Sequence, residues 1–185
     1  TRAFDLVLTL DKDFFEILLL SMKVSCLSLF LSCLVGLPVG TYLAIKNFWG
    51  RNAILIIFNA MMGLPPVVVG LIVYLLISRS GPFGWLGILY TPTAMIIAQM
   101  ILIIPIIVSL TAQIIEEINE EYKDLFTSLV VSSNKALIAC LYDARYSIFT
   151  VILAGFGRAI SEVGAVIIVG GTIDHLTRVM TTTIA

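Results

Sequence analysis

The stretch "GFGRAISEVGAVIIVGG", residues 155–171, decides how this chain is read. It sets Arg158 and Glu162 inside an apolar run, with "SIFTVILA" (147–154) before it and "GGTI" (170–173) closing it. A run of about 20 apolar residues is the length of a bilayer span, and charges at that depth almost always face a bundle interior or water. On one continuous helix over 148–171, Gly155, Arg158, Glu162 and Ala165 share a stripe. Ala154, Gly157, Ser161 and Gly164 form its neighbour, and Leu153, Phe156, Ile160, Val163 and Ile167 form a wholly apolar third. Arg158 and Glu162 are spaced to pair along the helix, base first, which is the weaker order. Each charge alone costs about 2.5–3.5 kcal/mol at the helix centre. Two roles stay open: a neutral pair that locks helices together, or a polar lining or gate on a solute path.

The rest of the composition agrees with a membrane setting. Of 185 residues, 59% are hydrophobic and only 12% are charged, about half the charged share of a soluble domain. The apolar runs are continuous and do not alternate, which excludes a β-barrel and predicts an all-α, polytopic helical membrane protein. A net charge of −1 leaves no nucleic-acid footprint. Cys26, Cys33 and Cys140 form no CxxC pair, and a single histidine, His175, excludes a multi-histidine metal site. No G-x-x-x-x-G-K-[ST] loop is present, so the sequence offers no P-loop for nucleotide hydrolysis. An intramembrane serine enzyme would need Ser161 and His175 to meet, but His175 lies beyond the span and no G-x-S-x-G pattern occurs.

Working outward, the sequence predicts one transmembrane domain over 1–185 with four complete spans at about 17–45, 53–77, 93–115 and 148–171. A fifth starts at 179 in "RVMTTTIA", and the expectation is a fragment truncated before its final helix. The first span carries "GLPVG" (36–40), whose Gly36 and Gly40 suit close helix approach, while Pro38 suits a kink. The second is interrupted by "GLPPVVVG" (63–70), where Pro65 and Pro66 remove two N–H donors in mid-span. "SRSGPFGWLGILYTP" (78–92) reads as an interfacial loop, with Trp85 and Tyr90 in a headgroup belt. The third span holds Pro105, with Gln99 and Gln113 as polar points. From 116 to 146 the character changes: Glu116, Glu117, Glu120, Glu121 and Asp124 lead two short amphipathic helices, with "SSNK" (132–135) as their turn. Such a piece lies outside the membrane; its apolar face calls for a partner, with an ordinary surface loop as the alternative. Lys46, Arg51, Lys123, Lys135 and Arg145 fall on one side of the alternating spans, and Arg2, Lys12, Arg79 and Arg178 on the other. That slight bias puts the amphipathic piece in the cytoplasm and the N-terminus outside.

"GFGRAISEVGAVIIVGGTI…TRVMTTTIA", together with "GLPPVVVGLIVYLLISRSGPFGWLG" (63–87) and "TPTAMIIAQMILIIPIIVSL" (91–110), resembles permease subunits of type I ABC importers for tungstate, molybdate and sulfate. The resemblance covers nearly the whole chain from about Ile17, and the wording is most similar to the tungstate branch. It implies the type I ABC importer permease fold, a homodimer with the solute path at its interface, two cytoplasmic ABC ATPase subunits and an external substrate-binding protein. It implies a prokaryotic plasma (inner) membrane, no enzyme activity and no cofactor on this chain, with ATP and Mg on the partner. Path or gate residues would then be Arg158, Glu162, Ser161, Gly155, Pro65 and Pro66, with Arg158 supplying a positive field that Glu162 limits. The 116–146 piece would be the coupling segment docking on the ATPase through Asp124, Leu125, Phe126, Leu129, Val130 and Ser133. The family pattern there has an acid, two small residues and a glycine six positions after the acid. Asp124 takes the acid position, Leu125 and Phe126 replace the small pair, and Val130 replaces the glycine, while "LYDA" (141–144) stands for the usual leucine–proline. A molybdate or sulfate permease is the alternative. An ion-gradient-driven secondary transporter is disfavoured, since no internal repeat is visible and such a protein needs no acidic cytoplasmic hairpin.

Overall fold

The computed structural model describes residues 12–131 and 133–171, and every regular element among them is helical. Helix α1 (Lys12–Ile45) has 34 residues, about 51 Å at 1.5 Å per residue, well beyond the roughly 30 Å of a hydrocarbon core. Helices α2 (Arg51–Met62) and α3 (Pro66–Ile77) have 12 residues each, and neither alone spans about 30 Å. A single 3-10 turn (Gly84–Leu86) precedes α4 (Pro92–Glu121), which runs through Pro105. The short α5 (Lys123–Ser128) and α6 (Ser133–Asp143) lead to α7 (Arg145–Ser161) and α8 (Gly164–Gly170). By length and apolar composition α1 and α4 can each cross a membrane, whereas α2–α3 and α7–α8 qualify only as bent pairs. The expected fifth span, with His175 and Arg178, lies outside the described residues.

The helices sort into two compact units. Of the described residues, one unit comprises 12–28, Leu64–Ile101 and 158–171. Its core joins Val24, Met95 and Val166, with Leu20 and Ile96 packed against them. Here α3 lies on α8 at backbone distance: a Cβ on Gly70 would stand 2.7 Å from the Cα of Ala165, and one on Gly164 would stand 2.9 Å from Val67 Cγ2. In lipid no hydrophobic force draws helices together, so close approach over small residues is the main source of their van der Waals attraction. The Tyr90 N–H donates to the Val169 carbonyl at 3.1 Å and fastens the loop before α4 to the end of α8.

The other unit comprises Leu29–Gly63 and Leu102–Gly157. In it α1 and α4 run parallel, because Gly36 meets Ile107, Gly40 meets Val108 and Thr111, and Ala44 packs with Ile115. The glycine pair is used for close approach: a Cβ on Gly40 would stand 2.7 Å from the Val108 carbonyl oxygen. Helix α1 continues through Pro38. Arg51 ties the following connection down, its Nε donating to the Leu43 carbonyl at 2.5 Å and its Nη2 meeting Glu116 Oε1 at 2.8 Å. Leu43 is among the last carbonyls of α1, which lack intrahelical partners, and a cation there also complements the helix dipole.

Two boundaries differ from the sequence reading. The third span was expected to end at Ile115, but α4 continues to Glu121. Its acids do not break the helix, because Glu116 is paired with Arg51, Gln113 donates to Glu117 at 3.2 Å, and Ile118 stays packed beside Ile115 and Ala144. The turn expected at "SSNK" comes earlier, at Leu129–Val131, and Ser133 already opens α6. Gly40→Leu puts a side chain where even a Cβ has no room, and overpacking of this kind costs about 1–3 kcal/mol. The expected result is a lower unfolding temperature of the purified protein in detergent. A variant as heat-stable as the parent would mean that α1 and α4 do not rely on this contact.

Candidate functional site

Two helix breaks meet in the first unit. At the α3 end, Pro66 occupies the first helical position and Pro65 precedes it in extended conformation (φ −63°, ψ 129°). Proline suits the first turn of a helix, where an N–H would have no intrahelical partner. At the other break α7 stops at Ser161 and α8 starts at Gly164. The positions touch: the place for a Cβ on Gly164 lies 3.5 Å from the Val67 nitrogen and 3.8 Å from Pro66 Cβ.

The continuous helix expected over 148–171 is therefore two helices, and Glu162 lies between them. Its carboxylate explains how the break is held. Glu162 is only 4% exposed, and its Oε1 accepts the Ala165 N–H at 3.0 Å, taking one of the donors that a helix start leaves open. On the far side of the break, the carbonyl of Ala159 has lost its ordinary partner, since the N–H four residues on lies beyond α7. Gln99 Nε2 donates to that carbonyl at 3.2 Å, and the Ser28 hydroxyl donates to Gln99 Oε1 at 2.7 Å. Gln99 and Ser28 are both buried. The sequence marked Gln99 as polar but assigned it no task, and nothing marked Ser28.

Arg158 and Glu162 form an ion pair, but a long one, with Nη2 to Oε2 at 3.8 Å. The Arg158 side chain is 31% exposed, and its Nε is buried without a hydrogen-bond partner among the described residues. A guanidinium carries five donors in a planar fork suited to oxyanions, and Glu162 occupies little of it. Ser161 is exposed and turns its hydroxyl onto the Arg158 carbonyl at 3.1 Å. Thus Arg158, Ser161 and Glu162 are gathered at the α7–α8 break, and Pro65 and Pro66 open the helix that packs against α8. Gly155 is not among them: it is buried in the second unit, its Cβ position 3.0 Å from Leu29 Cδ1 and 3.4 Å from Ile103 Cγ2. Helix packing, which needs a residue without a side chain there, accounts for that glycine. Among the described residues no group of three or more His, Cys, Asp or Glu side chains could hold a metal ion.

The 123–143 hairpin has its own logic. Asp124 sits in the first turn of α5, favourable for the helix dipole. After Leu129, Val130 takes the left-handed conformation (φ 50°). The Val130 N–H then bonds the Thr127 carbonyl and the Val131 N–H bonds that of Phe126. This is a Schellman ending, whose left-handed residue is usually glycine. A β-branched residue there is a conformational outlier. Val130 is 89% exposed, and Leu125 and Leu129 are exposed beside it. Phe126 is half-buried, its ring 5.7 Å from that of Tyr122. The Tyr122 hydroxyl donates to Asp143 Oδ2 at 2.9 Å, and this bond, with the carboxylate charge behind it, holds the phenol above its ordinary pKa.

A family model described as "Binding-protein-dependent transport system inner membrane component" matches residues 36–184. A probable anion ABC transporter permease protein of Haloferax volcanii is 39% identical over 169 residues, 89% of this chain and 73% of that protein. The tungstate uptake system permease protein TupB of Peptoclostridium acidaminophilum is 37% identical over 183 residues, 99% of this chain and 80% of the relative. The sulfate transport system permease protein CysW of Synechocystis is 26% identical over 170 residues, 88% of this chain and 62% of that protein.

Gln99→Leu strands the Ala159 carbonyl in a buried place, while the Ser28 hydroxyl keeps the Ser25 carbonyl at 3.0 Å, at a cost of about 1–3 kcal/mol. Ser28→Ala removes one hydroxyl bond and costs nearer 0.6 kcal/mol, roughly the membrane average. Denaturation in mixed micelles should rank the two in that order, and the reverse order would remove Gln99 from its bridging role. Val130→Gly relieves a left-handed valine and should stabilise the hairpin by about 1 kcal/mol. Slower amide exchange over 123–131 is the readout, and faster exchange would mean that the valine is not strained.

Proposed function

The chain belongs to the family of binding-protein-dependent transport system inner membrane components, and we propose that within it this protein is the membrane subunit of an ATP-driven tungstate importer. One observation carries the substrate: similarity to a tungstate uptake permease extends over 99% of this chain at 37% identity, against 26% for a sulfate permease. A molybdate or sulfate permease is the second reading, supported by that weaker match.

The geometry supports a path at the paired breaks. A helix broken within a bilayer is tolerated only where protein or a water-filled cavity surrounds it. Arg158 offers an open guanidinium for a passing dianion, and Glu162 beside it keeps the anion from being held too tightly. Conduction needs this balance, with attraction enough to enter and weak enough to leave. Ser161 and the Pro65–Pro66 start of α3 complete the proposed lining.

Parallel packing of α1 and α4 supports the span count. Two parallel helices that both cross a bilayer require the chain between them to return, and α2–α3 is the segment available. With the basic loops inside, the N-terminus lies outside and the hairpin lies in the cytoplasm. There Leu125, Leu129 and Val130 form an exposed apolar surface outside the spans, suited to a groove on an ABC ATPase that hydrolyses ATP with Mg. An extracytoplasmic binding protein delivers the anion, and two copies of this chain enclose the path.

The test reconstitutes the full permease with its ATPase and binding protein in proteoliposomes and follows ATP-dependent tungstate uptake against molybdate and sulfate. Glu162→Gln retains an oxygen for the Ala165 N–H but removes the charge. Uptake should slow by about tenfold, the scale of one lost electrostatic contact of roughly 1.4 kcal/mol, while assembly is spared. Unchanged uptake in that variant would take Glu162 out of the path.

A further inference from the structure

Where α7 begins, one cation lies outside everything described above. Arg145 is exposed, and its guanidinium carbon stands 4.3 Å from the ring centre of Tyr142 and 4.7 Å from that of Tyr146. Nη1 donates to the Tyr142 carbonyl at 2.8 Å. Arg145 forms no ion pair with any described residue. The neighbouring acid, Asp143, is held instead by the Tyr122 hydroxyl. A flexible side chain is thus held against two aromatic rings, and among the described residues the rest of its fork has no partner.

The surroundings say what the fork meets. Tyr146 is 74% exposed, and the exposed face continues along α7 through Phe149 and Leu153, spaced three and four residues apart. That face belongs to a helix apolar enough, with α8, to cross a bilayer. Arg145 and Tyr146 stand at its first turn and Tyr142 at the end of α6 just before it, where the apolar stretch meets water. Tyrosine is enriched at that depth because its ring is apolar and its hydroxyl is wet. A guanidinium at the same depth is matched in charge and shape to a phosphate diester.

We propose that Tyr142, Arg145 and Tyr146 form a binding site for the headgroup of an anionic phospholipid. The rings hold Arg145 in place by cation–π contact and lie among the headgroups, and the free guanidinium nitrogens take the lipid phosphate. The acyl chains then run along Phe149 and Leu153. The site recognises charge in the lipid and is independent of the transported anion.

The experiment incubates the full-length permease in detergent with equal amounts of phosphatidylglycerol and phosphatidylcholine and counts retained lipid by native mass spectrometry. The parent should retain phosphatidylglycerol in preference. Arg145→Gln should reduce that preference about fivefold, the factor expected for one basic residue at an anionic membrane surface. Tyr146→Leu, which keeps the apolar face, should reduce it by a smaller factor, about twofold. Lys46→Gln, an exposed cation in another loop, should leave it unchanged. An undiminished preference in Arg145→Gln overturns the proposal, as does an equal loss in Lys46→Gln, which would make the effect one of diffuse charge. Displacement of the lipid by equimolar inorganic phosphate overturns it too, since the site would then take the free anion.

Discussion

A helix that stops inside a bilayer leaves carbonyls on one side of the break and N–H groups on the other, and hydrocarbon supplies no water to take them. Most of the polar chemistry in the first unit answers that constraint. The Ala159 carbonyl is met by Gln99, which is itself held by Ser28, and the Ala165 N–H is met by Glu162. At the start of α3 the solution is different in kind, because Pro65 and Pro66 bring no N–H to satisfy. Two breaks, one closed by side chains and one by proline, are then packed against each other over Gly70 and Gly164.

The same constraint divides Arg158 from Glu162. Read as a pair on one helix, they would neutralise each other and have one job. Glu162 instead commits Oε1 to the backbone, so its carboxylate is fixed in place, and the remaining oxygen stays 3.8 Å from Arg158. At that separation the attraction is electrostatic without a hydrogen bond. The glutamate is therefore a structural group with a residual charge, and the arginine is a cation whose fork is largely unclaimed. Locking the helix falls to Glu162 and the proposed attraction for an anion falls to Arg158, so the two descriptions of the pair are not rivals.

What could be read in advance follows from which forces are local. The all-helical membrane character was legible from composition, and the interruption at Pro65–Pro66 from the missing donors. The break at Glu162 was not, because Ser161, Glu162 and Val163 contain neither proline nor glycine and continue the helical periodicity. It depends on Gln99, sixty residues earlier in the chain. Helix α4 runs past the span end expected at Ile115, where Glu116 pairs with Arg51, 65 residues earlier in the chain and not announced by any local pattern, while Gln113 meets Glu117 one turn away. The bend at Leu129–Val131 was missed for the opposite reason. "SSNK" has the composition of a turn, while the true turn is made of residues that disfavour one. For the site, residue types in the sequence pointed to Arg158, Ser161, Glu162 and the prolines, whereas Gly155, one turn before Arg158 on α7, is taken up by packing against Leu29 and Ile103.

Val130 shows how a local preference is overridden. Its left-handed conformation costs about 1–2 kcal/mol for a residue with a Cβ, and its exposed side chain gains nothing from burial. Strain of this kind persists only where the surrounding structure determines it. Here that structure is the Tyr122–Asp143 bond, the Tyr122–Phe126 ring contact, and Leu141 and Ala144 packed with Ile115 and Ile118. A glycine would make the turn with less strain but would remove the most exposed apolar group on the hairpin. Valine keeps that group in a conformation fixed by two backbone hydrogen bonds, so a partner meeting it finds a surface whose ordering cost has already been met in folding.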